Sequence, residues 1–233
     1  MKDISEFEMD FIFIMEQMPR LLPGLIITIE LSLIGFLIAT ILGVPLGVFR
    51  AYNPPIIFTF IIDLYVFVVR GTPILVQIYA AYFLLPLMGI KLSPFWIGIV
   101  ALTFNSAGYQ IEIARAAILS IDNGQYEGAF SLGLGKMRTL LSIILPQAFL
   151  RMLPPMANEM SNLIKASSVL SVITVFELHK AANAIISDTF KFLEMLFAQA
   201  VLYVAFVVLM TQLSIYLEKR IGTRLQIKNF SQR

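Results

Sequence analysis

Between residues 158 and 168 the sequence sets seven polar side chains into an otherwise apolar stretch: Asn158, Glu159, Ser161, Asn162, Lys165, Ser167 and Ser168. With Asn158 at zero and ~100° per helical residue, Ser161, Asn162, Lys165 and Ser168 fall at about 300°, 40°, 340° and 280°. With Asn158 they fill one arc of about 120°, and Glu159 stands at its edge. Two chemistries suit such an arc. It is glue, with Ser and Asn bonding across a bundle or dimer interface, or it lines a wet path. A path would use Lys165 for an anionic group, Glu159 for a cationic one, and Asn158, Ser167 and Ser168 as neutral partners.

Other chemistries are excluded by residue type. The chain has no cysteine and one histidine, His179, so disulfides, thiolate nucleophiles, zinc clusters and multi-histidine metal sites cannot be built. No nucleophile-elbow sequence accompanies His179. Residues 133–137, Gly-Leu-Gly-Lys-Met, lack the upstream glycine and the following Ser/Thr of a phosphate loop, and Arg138 stands where a dinucleotide fingerprint needs its third glycine. A net charge of +2 gives no field for nucleic acid. The chain reads as a non-enzyme without metal or cofactor of its own.

The elements that must position the polar arc are set by composition. Of the 233 residues 58% are hydrophobic and 14% charged, against roughly 25% charged in a soluble domain, and mean hydropathy is +0.84. The chain is an all-α integral membrane protein, one transmembrane domain over residues 1–233. A span takes roughly 20 mainly apolar residues, which predicts five: 21–49, 56–87, 94–119, 147–176 and 190–217. The first is expected to break near Gly43–Gly47 and the second to kink at Pro73; two short helices divided at Gly71 are the alternative. Ten of the 17 Lys and Arg fall in the segments on the C-terminal side, five opposite, with Arg70 and Lys165 inside spans. The positive-inside rule then places the N-terminus outside and the C-terminus in the cytoplasm. The acidic start does not suit a cleaved signal peptide, so it is expected to be mature sequence. Asp63 with Arg70, and Glu112 with Arg115, are expected to pair along their helices. Glu30 is expected near the outer interface, and His179 as an interface residue at the outer end of the fourth span.

A loop of about 27 residues, 120–146, joins spans three and four on the cytoplasmic side. Tyr126, Ala129, Phe130, Gly133 and Met137 recur there at helical spacing, which suits a helix lying on headgroups or docked in a partner's groove. Its glycines would serve close approach of another backbone.

Glu127, Gly128 and Ala129, then Gly133, then Leu145 and Pro146 resemble the EAA loop of ABC importer permeases, with Gly128 in place of an alanine. Arg70, Gly71, Thr72, Pro73 and Gln77 resemble the RGTP-x-x-VQ segment of the polar amino acid subfamily; residues 153–159 and 163–173 resemble its LPP-x-x-NE and LK-x-SS segments, and 105–109 and 112–116 its third-span pattern. The resemblance covers Gly24 to Arg220. It implies a type I importer permease with a coupling helix, made by Tyr126, Glu127, Gly128, Ala129 and Gly133 with Leu145 and Pro146 following. It implies a cytoplasmic ABC ATPase dimer holding ATP and Mg, a second permease chain (identical or related), an extracytoplasmic amino acid binding protein, and a polar amino acid substrate. The location implied is the cell membrane. A secondary transporter or channel driven by an ion gradient would account for the intramembrane charges but not for the loop.

Overall fold

The computed structural model describes residues 9–224, and these are helical throughout, with short connections. Lys2, Lys228 and Arg233, which entered the charge balance, lie outside them. Helix α1 (Phe11–Ala51) is 41 residues long, roughly 60 Å at 1.5 Å per residue. α2 (Ile56–Gly71) and α3 (Ile74–Leu87) follow, then α4 (Pro94–Leu119), a short α5 (Asn123–Ser131) and α6 (Lys136–Thr139). One turn of π-helix, Leu140–Ile144, leads into α7 (Leu145–Ala166), which tightens to a 3-10 helix over Ser167–Ile173. α8 (Leu178–Thr189) and α9 (Phe192–Arg224) complete the bundle.

α4 is the hub, packed against α1, α2, α3 and α7. Its seam with α1 is made of small residues, which let two backbones approach closely. The sequence expectation of a break at Gly43–Gly47 is therefore corrected: α1 runs unbroken to Ala51. A Cβ on Gly43 would stand 2.8 Å from the Ala107 carbonyl oxygen, and one on Gly47 would collide with that of Ile111. These glycines serve packing and leave the helix intact. Pro45 costs one backbone bond and the helix absorbs it.

The second stretch is likewise sharper than a kink. α2 and α3 meet at 110°, and with 16 and 14 residues each covers only ~21–24 Å, short of the ~30 Å hydrocarbon layer. Among the described residues, three helical segments are long and apolar enough to cross a membrane: 11–51, 136–173 and 192–220; the bent pair makes four if counted as one span. α4 is not among them, and the physical reason is its position. A helix covered by four neighbours needs less apolar surface than one facing lipid.

Candidate functional site

Pro146 lies in the first turn of α7, where a missing N–H costs nothing. The helix ends at Ala166 as the Ser167 hydroxyl donates to the Ile164 carbonyl at 2.7 Å and Ser168 to that of Lys165 at 2.7 Å. The predicted polar arc is thereby narrowed. Asn158, Asn162 and Lys165 are exposed along one face at i, i+4 and i+7. Ser161 is buried and bonds back to the Ala157 carbonyl. Ser167 is fully buried, and Ser168 is half-buried on the 3-10 turn, where a wheel of 100° no longer applies. Arg151, seven residues before Asn158 and absent from the sequence-based set, extends the exposed face toward α5.

Glu159 turns away from that face. It is buried against α4, where the Ser106 hydroxyl donates to its Oε1 at 2.7 Å. Gln110 donates to Ser106 at 3.1 Å and to the Phe36 carbonyl of α1 at 3.4 Å. Glu159 thus ties α7 to α4 and α1, and does not share the exposed stripe with Lys165.

Gln77 proves to be a joint. In a continuous helix the Val69 carbonyl would accept from residue 73, which is proline and has no N–H. Gln77 Nε2 supplies the missing donor at 2.9 Å, and also reaches the Thr72 hydroxyl at 2.9 Å and carbonyl at 3.2 Å. Its Oε1 accepts from Asn105 of α4 at 3.0 Å. Thr72 returns its own hydroxyl to the Val68 carbonyl. Gly71 at the bend is exposed, with open space where a side chain would be. Arg70 stacks over the Tyr109 ring at 5.7 Å and stands 3.9 Å from Glu112. The expected pairing with Asp63 is corrected, because Arg50 of α1 binds both Asp63 oxygens at 2.8 and 2.9 Å. Seven residues along a helix, roughly 10 Å, is too far for Arg70 to compete. The Glu112–Arg115 pair forms, with two bonds of 3.0 Å.

The loop before α7 is shorter in helix than its spacing suggests. α5 spans nine residues, capped by Asp122 accepting from Gly124 N at 2.7 Å. Gly133, at φ +77°, ends it: Leu134 N donates to the Ala129 carbonyl and Gly133 N to that of Phe130, the Schellman pattern. Gly133 and Met137 therefore lie beyond α5. Conformation already accounts for glycine at 133, because the left-handed region disfavours any Cβ, and beyond its two chain neighbours no described residue comes within 4 Å of where one would be. Ala129 is buried, Tyr126 packs against the core cluster that includes Ile121 and Ile144 with its hydroxyl 3.5 Å from that of Tyr52, and Glu127 and Gly128 face outward. Leu145 and Pro146 are half-buried. Phe130, Leu132 and Met137 are exposed large apolar side chains around this end.

At the other end of the bundle, Glu177 caps α8, accepting from the backbone N–H of His179 and Lys180 and from the Tyr203 hydroxyl. His179 itself sits between Gln199 at 2.9 Å and Asn183 at 3.1 Å. It opens α8 and is not the end of α7; Thr174, at φ +67°, closes the segment before it. Glu30 lies midway along α1 and is exposed. Among the described residues no three His, Cys, Asp or Glu converge on a metal position.

Residues 43–223 match the family described as binding-protein-dependent transport system inner membrane component. The chain is 35% identical over 216 residues to the arginine transport system permease protein of Bacillus subtilis, covering 91% of this chain and 97% of the relative. It is 34% identical to the glutamine transport system permease protein of Escherichia coli K12, covering 91% and 98%. Its fold is similar to a crystal structure of an amino acid ABC transporter with histidines, with a TM-score of 0.84, 31% identity, and coverage of 92% of this chain and all of that one. The methionine ABC transporter in an inward-facing conformation shares the fold, with a TM-score of 0.75 at 17% identity.

Proposed function

The chain belongs to the binding-protein-dependent transport system inner membrane component family, and on that premise we propose that it is the permease subunit of an ATP-driven importer of polar amino acids, with α7 lining the path. The family is one of transport permeases, and the ion-gradient alternative finds no support in it. The observation that carries the path assignment is the exposed stripe Asn158, Asn162, Lys165 on a helix of a membrane protein. A charge at the bilayer centre costs at least about 2.5–3.5 kcal/mol on insertion scales, so Lys165 faces water or protein. A zwitterion crossing beside it finds a cation for its carboxylate and amides for its remaining groups. Ser168 stands at the end of the stripe, and Glu159, Ser161 and Ser167 shape it from behind.

In this reading two permease chains, identical or related, enclose one path. α5 is the coupling helix: Glu127, Gly128, Phe130 and Leu132 face an ABC ATPase dimer that holds ATP and Mg, while Tyr126 and Ala129 fix the helix to the bundle. Leu145 and Pro146 join that fixed loop to α7. An extracytoplasmic binding protein delivers substrate at the α8 end. The crossings are α1, the α2–α3 pair, α4, α6–α7 and α9, with α4 sheltered from lipid. The N-terminus is then outside and the C-terminus in the cytoplasm of a cell membrane.

The test is uptake by proteoliposomes holding the chain with its ATPase and binding protein, against arginine, glutamine and cystine. ATP-dependent accumulation that survives ionophores supports the reading. Accumulation that needs an ion gradient and no ATP overturns it.

A further inference from the structure

A second cationic position lies at the α5 end of the bundle. Arg70, Tyr109, Glu112, Ser120, Arg151 and Pro155 line an open cleft of about 500 Å³ between the end of α2, α4 and α7. Among the described residues lining it, Glu112 is the one carboxylate, and both its oxygens are taken by Arg115 at 3.0 Å. Arg70 therefore finds Glu112 only at 3.9 Å, beyond hydrogen-bond range, and is half exposed. Arg151 spends Nη1 on the carbonyl and hydroxyl of Ser120. Nε and Nη2 of Arg151, and every guanidinium donor of Arg70, lack a hydrogen-bond partner among the described residues. Two guanidinium groups with free donors on one cleft attract an oxyanion, and their planar forks suit a carboxylate or phosphate.

We infer that this cleft is an oxyanion site that takes the carboxylate of the departing substrate. The inference rests on the transport reading above for its substrate. Position selects the substrate carboxylate over a lipid phosphate: Arg151 continues the exposed α7 stripe, fourteen residues or roughly 21 Å along the helix from Lys165, with Asn162 and Asn158 between. A zwitterion leaving Lys165 meets its next cations here, at the end that carries α5. Arg70 is held for this purpose by the Gln77 joint, which fixes the end of α2 against α4, and by the Tyr109 ring beneath its guanidinium.

The test uses the permease bound to its ATPase, without nucleotide, in phosphatidylcholine nanodiscs. Inorganic phosphate, L-glutamine and the α-amide of L-glutamine are titrated by calorimetry. Phosphate and glutamine are expected to bind and the amide not. Arg70→Gln and Arg151→Gln should each weaken binding tenfold or more, the loss of a charge-assisted hydrogen bond. Arg70→Lys, which keeps the charge and loses the fork, should fall between. Arg20→Gln, an exposed cation at the far end paired with Asp188, should change nothing. Equal binding in the Arg70→Gln/Arg151→Gln double variant overturns the site. A phospholipid retained through purification from phosphatidylglycerol nanodiscs, and lost only in that double variant, overturns the substrate assignment in favour of lipid. Arginine-dependent phosphate binding by a complex that accumulates no amino acid with ATP sustains the oxyanion site and defeats the functional reading instead.

Discussion

Replacing Gln77 by methionine roughly keeps the side-chain volume and deletes the four side-chain bonds that Gln77 makes at the α2–α3 joint. The Val69 carbonyl then loses its donor at 2.9 Å, and its residue is fully buried. An orphaned buried carbonyl costs about 1–3 kcal/mol. Asn105 loses its acceptor at 3.0 Å but is half-buried and turns toward water more cheaply, so the total stays near that range. The assay is unfolding of the purified chain in mixed micelles, followed by circular dichroism, with a double-mutant cycle against Asn105→Leu. A coupling of about 0.5–3 kcal/mol is expected for two residues in contact. The bend can be read directly, because the chain has no native cysteine to compete for label. Spin labels at Phe58→Cys and Phe83→Cys, both exposed sites on α2 and α3, should give a narrow distance distribution that broadens with Gln77→Met. An unchanged midpoint and an equally narrow distribution would refute the idea that Gln77 holds the bend.

Three further outcomes follow from the same geometry. Gly133→Leu puts a Cβ into a left-handed turn at φ +77°, costing roughly 1–2 kcal/mol; it should loosen the end of α5 and lower substrate-stimulated ATP hydrolysis, while Gly133→Asn, tolerant of that region, is milder. Gly43→Leu drives side-chain atoms into the Ala107 carbonyl, already 2.8 Å from an ideal Cβ, and should destabilise the chain by about 1–3 kcal/mol or more, measured in the same micelles. Asp10 caps α1 by accepting from Phe13 N at 2.9 Å, and that bond first, then Lys191, holds its carboxyl below the usual aspartate value of 3.8. The folded group is the stronger acid, so its contribution is complete above that value and disappears as pH falls through the lower folded one. Amide exchange at the first turn of α1 should rise over that acid window, and Asp10→Asn should remove the dependence.

Composition and motif spacing made the membrane class, the order of the long helices and the loop before α7 legible. Periodicity failed where local hydrogen bonds changed the helix. A wheel drawn through residue 168 assumes 100° per step, whereas Ser167 and Ser168 bond back and tighten the turn. A wheel places Glu159 at the edge of the polar arc but gives angle and not the neighbour at that angle; Ser106, which it meets, is 53 positions away. The Gln77 joint did leave a trace, since Pro73 must orphan the carbonyl four residues before it. The direction in which Gln77 folds back required the structure. Asp63 found Arg50 across a connection that no same-helix rule describes. Gly43 and Gly47 read as breakers because sequence shows the absence of a side chain and not the helix that fills the space.

The central claim is that Lys165 stands on the conducting face. It is tested most directly with Lys165→Met in the reconstituted importer, measuring ATP-driven uptake at subsaturating substrate and, on the same preparation, the stability of the assembled complex in detergent. Losing a charged hydrogen bond to a carboxylate costs about 1.5–3 kcal/mol, so uptake should fall roughly ten- to a hundredfold while the complex stays intact. A complex that falls apart but transports normally for each assembled unit would make Lys165 interface glue, and a stable complex with normal uptake would contradict the account.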